Sequence, residues 1–116
     1  MKTILDFVTL HTPDLRATRR YYTEVLGFEV SEERPGGNAF VQASGAGLAI
    51  RKDPDAARGH SNVTVSFIVP DAEAYHAQLV QRGAQVLVPP HDGPFGRMLI
   101  IVTPDGHRLS FREGQA

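Results

Sequence analysis

Arg51 and Arg112 end two similar segments, "GAGLAIRK" and "GHRLSFRE". Two guanidinium groups brought to one pocket would hold a carboxylate, a phosphate or another anionic group through bidentate contacts. Either arginine alone also fits a stem packed along a sheet, its head in solvent or paired with Glu32, Glu33 or Glu113. His11, in "LDFVTLHTPDL", is the one imidazole placed to accept a proton or bond a ligand. It suits equally a part-exposed strand end before a turn. Ser66 and Ser110 could join His11 in a hydroxyl-based assembly, but no nucleophile motif surrounds them. His60, His76, His91 and His107 fall in a linker, on the polar side of a helix and in turns, where surface residues are expected. The glycines of "RPGGN" neither keep P-loop spacing nor open a helix, and the segment reads as a flexible loop over a cavity.

These groups need elements to hold them, and the chain repeats itself to supply them. "VTLHTPDLRATRRYY" and "VSFIVPDAEAYHAQL" both run strand, Pro-Asp, helix. Asp14 and Asp71 stand where a side chain caps the first amides of a helix. Apolar residues then follow at helical spacing, Leu15, Tyr22, Val25 and Leu26 in one copy and Ala72, Tyr75, Leu79 and Val80 in the other. Gly27 and Gly83 end the helices. A short strand follows each ("FEV", "AQVLV"), then a loop ("RPGGN", "PPHDGPFG"), then a strand pair ("AFVQASGAGLAIRK", "RMLIIVTPDGHRLSFRE").

The expected fold class is α+β, with two tandem βαβββ units forming a curved mixed sheet, an incomplete barrel, helices outside and a concave cavity within. One domain spans 1–116, with unit one at 1–52, the linker "DPDAARGH" at 53–60 and unit two at 61–116. Because successive strand residues point to opposite faces, Val8, Leu10, Leu48, Ile50, Val65, Phe67, Leu109 and Phe111 turn toward the helices. Phe7, Thr9, His11, Ala49, Arg51, Thr64, Ser66, Ile68, Ser110 and Arg112 turn to the concavity. Phe40 and Phe95 add apolar wall, and Arg97 either reaches toward the mouth or sits on a surface loop.

The charges narrow the partners. Twelve Lys and Arg balance thirteen Asp and Glu, a formal charge of −1, which gives no reason to expect nucleic acid or an anionic membrane. Without cysteine there is no disulfide, thiolate site or cysteine nucleophile. No apolar run has the length of a membrane span and the first residues lack a secretory pattern, so a cytoplasmic location is expected.

The duplicated unit, "DLRATRRYYTEVLGFEV" and "PFGRMLIIVTPDGHRLSF" together resemble the vicinal oxygen chelate superfamily. That group holds glyoxalase I, extradiol dioxygenases, fosfomycin-resistance enzymes and bleomycin-resistance proteins. The resemblance implies a cavity with one divalent metal, held by His or carboxylate ligands from the first and last strands of each unit. Those positions fall on Phe7, Ala49, Thr64 and Ser110, none of which is an ordinary ligand. Homodimerisation is also implied, the units pairing within one chain or between two.

The reading that follows is a metal-free protein without a cofactor that binds a small molecule. It would sequester an antibiotic or another aromatic, neutral-to-anionic compound, as bleomycin-resistance proteins do. Bleomycin itself is cationic and matches the arginines poorly. The ligand-binding set is Phe7, Thr9, His11, Phe40, Ala49, Arg51, Thr64, Ser66, Ile68, Arg97, Ser110 and Arg112. The alternative is a glyoxalase-like lyase, isomerase or dioxygenase with non-standard residues, using His11 as base and Arg51 or Arg112 to stabilise an oxyanion.

Overall fold

The computed structural model describes Lys2 and residues 7–41, 47–56 and 63–114. Contacts between Cα atoms divide the chain into two compact units, Met1–Ala57 and Arg58–Ala116. Each is α+β: one helical segment and one mixed sheet. Among the described residues no helix is long and apolar enough to cross a membrane.

In the first unit, β1 (Phe7–Thr12) is followed by Pro13 and by Asp14, whose side chain accepts from Ala17 N at 3.1 Å and starts α1 (Leu15–Arg20). The helix widens into a π-helical turn at Tyr21–Val25, closed by Leu26 N donating to Tyr21 O at 3.2 Å. The apolar spacing does not signal this turn. Gly27 takes φ 78, open to glycine without strain, and Phe28 N returns to Tyr22 O at 2.9 Å. Two strands, β2 (Asn38–Val41) and β3 (Gly47–Lys52), complete a sheet of order β1-β3-β2, with β1 parallel and β2 antiparallel to β3. The turn between them, at 42–46, lies outside the described residues.

Two expectations fail in this unit. The strand over "FEV" shrinks to a single bridge, Val30 to Val41. Beyond the bridge, on the side away from Phe28, Ser31 Oγ accepts from Phe40 N at 2.9 Å in place of the backbone carbonyl that would continue the ladder past Val30. The segment "RPGGN" is a closed turn rather than a free loop. Arg34 N donates to Asn38 O at 2.7 Å, Gly37 N to Arg34 O at 3.1 Å, and Lys52 N to Gly37 O at 2.7 Å.

The second unit repeats the plan with a longer meander: β4 (Thr64–Val69), α2 (Ala72–Gln81), β5 (Gln85–Gly93), β6 (Gly96–Val102) and β7 (Arg108–Glu113), in the order β4-β7-β6-β5. Asp71 caps α2 by accepting from Ala74 N at 3.0 Å, and Glu113 Oε1 accepts from Ala72 N at the same distance. Asp71→Ala is expected to lower stability by about 1 kcal/mol, the usual worth of an N-cap, read by urea denaturation. An unchanged midpoint would mean that Glu113 suffices.

"PPHDGPFG" is not a loop. β5 runs through Pro89 and Pro90 to Gly93, leaving only Pro94 and Phe95 to turn. The prolines are tolerated because β5 is the edge strand, and register shifts between Val86 and His91 absorb them. His91 therefore lies in a strand, not a turn, His107 is half-buried, and His60 is outside the described residues. Val80, expected on the apolar face of α2, is exposed.

The cores follow the parity of the strands. In the first unit Leu10, Leu48, Ile50, Ala39 and Val41 are buried with Leu15, Tyr22 and Leu26 of the helical segment. In the second, Leu79, Leu99, Ile101, Leu109 and Phe111 are buried, and Phe111 stacks on Phe67 at 5.4 Å and meets Tyr75 at 4.7 Å.

Candidate functional site

With those residues committed to the helical sides, the opposite faces of the two sheets carry the candidate groups. On the first sheet, cross-strand register sets Thr9, Ala49 and Phe40 in one row and His11, Arg51 and Asn38 in the next. Phe7 and Phe40 meet edge to face at 6.5 Å, yet remain 48% and 36% exposed, while Ala49 between their strands is 2% exposed. Two large apolar side chains left open beside a buried methyl make a platform for a flat apolar group. Arg34 extends it, its Cζ 5.5 Å from the centre of the Phe40 ring.

His11 is held rather than loose. Its Nδ1 lies 3.0 Å from Asp53 Oδ2. Asp53 is itself anchored, with its N donating to Thr12 O at 2.8 Å and its Oδ1 accepting from Asp55 N at 3.0 Å. Arg51, the cross-strand neighbour of His11, is exposed and forms no ion pair among the described residues.

On the second sheet the matching rows are Ser66, Ser110 and Ile100, then Ile68, Arg112, Met98 and His91. Ser110 is 4% exposed, whereas Thr64, Ser66 and Ile68 on the edge strand β4 are open. Arg112 is half-buried. A Cβ on Gly114 would come within 2.9 Å of its Nη1 and 3.3 Å of Ile68 Cγ2, so the guanidinium occupies the space that glycine leaves. Arg112 also forms no ion pair among the described residues, and Glu113 is engaged with α2.

Arg97 stands apart from these rows. It alternates onto the helix side of its sheet, where it donates to Glu73 Oε1 of α2 at 2.6 and 3.0 Å and reaches Asp92 at 3.4 Å. Those contacts hold its guanidinium pKa above its ordinary value, the hydrogen bond to Glu73 first. Its place toward a cavity mouth is not what the structure gives; a nonlocal carboxylate on the helix captured it. Phe95, at the β5–β6 turn, is exposed and does not join either face.

The donor set does not fit a divalent metal. Phe7 and Ala49 offer carbon only, and Thr64 and Ser110 offer neutral hydroxyls. Among the described residues no three His, Cys, Asp or Glu side chains come together as a metal site would require. Asp53, Arg34 and Asn38 were not anticipated. Asp53 is two residues past Arg51 in a stretch that reads only as polar linker, and Arg34 precedes a Pro-Gly turn that brings it back over Phe40.

Comparison with known proteins agrees with this architecture. A family model described as Glyoxalase/Bleomycin resistance protein/Dioxygenase superfamily matches residues 4–111. No curated protein matches the sequence. Solved structures share the fold. TioX from Micromonospora sp. ML1 is 23% identical, with 94% of this chain and 98% of that one covered and a TM-score of 0.76. The bleomycin-binding protein of bleomycin-producing Streptomyces verticillus, solved with copper(II)-bleomycin, is 21% identical over 99% of both chains, with a TM-score of 0.73. The genomically encoded fosfomycin resistance protein FosX of Listeria monocytogenes is 17% identical, with 99% and 96% covered and a TM-score of 0.77.

Proposed function

Since the chain belongs to the Glyoxalase/Bleomycin resistance protein/Dioxygenase superfamily, we propose that it is a metal-free binding protein for a small, partly aromatic, neutral-to-anionic molecule. The observation that carries this reading is the exposed Phe7–Phe40 pair, one row from Arg51, with Phe7 and the neighbouring Ala49 at strand positions where a metal enzyme of the family would need ligands. Stacking on the rings and a charge-assisted hydrogen bond to Arg51 would together hold an aromatic anion. Sequestration of an antibiotic is the role that fits, and a bleomycin-binding protein from Streptomyces verticillus shares the fold.

The proposed ligand-binding residues are Phe7, Thr9, His11, Phe40, Ala49 and Arg51 on the first sheet and Thr64, Ser66, Ile68, Ser110 and Arg112 on the second. In this reading the protein is a homodimer and works in the cytoplasm. A thermal-shift titration tests it. 1-Naphthoate is expected to raise the melting temperature more than 1-naphthamide, and Arg51→Gln to weaken naphthoate about tenfold, the worth of one charged hydrogen bond. No shift with either compound would count against it.

The pairing of His11 with Asp53 favours a second reading, a lyase or isomerase that removes a proton from carbon. Incubation with phenylpyruvate in deuterium oxide separates the two. Deuterium entry at C3 that His11→Asn abolishes would move the enzyme reading to first place, whereas exchange no faster than in buffer supports binding alone.

A further inference from the structure

We propose that the second unit carries a subsite for a small monocarboxylate with a compact hydrocarbon or aryl tail, in a groove that ends at Arg108, the cross-strand partner of Thr64. The inference rests on the reading of that sheet face as ligand-binding and goes beyond the aromatic platform proposed above. The groove, of about 300 Å³, is bounded by Gln85 and Leu87 of β5, Val102 at the end of β6, Thr103 and Pro104 of the following turn, and Arg108 at the start of β7. Such a volume stands at the lower end of the range for small-molecule pockets, enough for a ligand of roughly ten non-hydrogen atoms.

Its chemistry is divided. Leu87, Val102 and Pro104 supply an apolar floor, and Leu87 is left 46% exposed, an unusual amount for a leucine in the middle of a strand. Arg108 is half-buried, and its guanidinium makes no ion pair or side-chain hydrogen bond with a described residue. Arg97, on β6 of the same meander, is by contrast neutralised by two carboxylates. Register places Gln85 opposite Val102 and Val102 opposite Arg108, so an amide and a guanidinium flank one apolar side chain in a single row.

A fork of donors with no internal counter-charge suits a carboxylate, which it can bind through two parallel bonds. Among the described residues that line it the groove has one cation and not two, which favours a single negative charge over a phosphate dianion. The exposed leucine and proline supply contact for the tail. The turn that shapes the wall is rigid, with Gly106 N donating to Thr103 O at 2.8 Å, Thr103 N to His107 O at 2.9 Å and His107 N to Thr103 Oγ1 at 3.1 Å.

Phenylacetate is the probe, followed by amide chemical shifts in the full chain. Saturable shifts are expected at residues 85–88 and 102–108. Arg108→Gln should weaken binding tenfold or more, Arg108→Lys should restore part of it, and Arg16→Gln, at an exposed position of α1, should leave it within twofold. Phenylacetamide, which keeps the tail and loses the charge, should bind at least tenfold more weakly. The inference is overturned if no saturable shift occurs in the groove, if Arg108→Gln binds as the wild type does, or if the shifts and the loss follow Arg112 or Arg51. The last outcome would assign the carboxylate to the aromatic site and leave that reading standing. Conversely, shifts in the groove with no naphthoate binding at Phe7 and Phe40 would retain this subsite and remove the other.

Discussion

Phe111→Ala is expected to cost about 3–5 kcal/mol, the range for removing a buried phenyl ring from a packed core. Phe111 is fully buried, with Phe67 stacked on one side at 5.4 Å and Tyr75 against it at 4.7 Å. It therefore joins β4, α2 and β7, and no smaller side chain reaches both rings. Because a domain of this size has about 5–15 kcal/mol in total, the variant should approach the limit of folding. Urea denaturation measures it, and a loss below about 1 kcal/mol would mean that Tyr75 and Phe67 close the gap by themselves.

The opposite pattern is expected for the double replacement of Phe7 and Phe40 by Ala. Both rings are partly in solvent, so truncation gives up less buried area and stability should fall by no more than about 2 kcal/mol. Affinity for 1-naphthoate should fall by roughly a hundredfold, since exposed aromatics that meet a ligand carry much of its binding energy. Large loss of stability with unchanged affinity would reassign the pair to the core. Retained affinity with retained stability would remove the aromatic platform from the site.

Much of the fold was legible because it was written twice. The strand, Pro-Asp, helix order recurs, and Asp14 and Asp71 cap their helices through the third amide beyond each. Parity alone sorted Leu10, Ile50, Leu109 and Phe111 from His11, Arg51, Ser110 and Arg112, since alternation is a property of the backbone and needs no partner. The register confirmed it: His11 stands opposite Arg51 as Ile68 stands opposite Arg112.

What the sequence hid was set by partners far along the chain. The proline pair at 89 and 90 reads as a break, and only the edge position of β5 makes it a strand. "FEV" alternates like a strand, but only Val30 forms a bridge, to Val41. Arg97 meets Glu73 across 24 positions and His11 meets Asp53 across 42. Neither spacing leaves a periodic mark. The π-helical turn at Tyr21–Val25 likewise changes hydrogen bonding without changing which residues are buried.

The central claim is that the site binds its ligand without a metal, and elemental mass spectrometry tests it most directly. The protein would be purified untagged and without chelator, then analysed as isolated and after incubation with manganese, iron, nickel and zinc. The expected result is well below one metal per chain in every sample, as a donor set of phenyl, methyl and two hydroxyls implies. About one tightly held metal per chain would contradict the account and put a metal-dependent enzyme in its place.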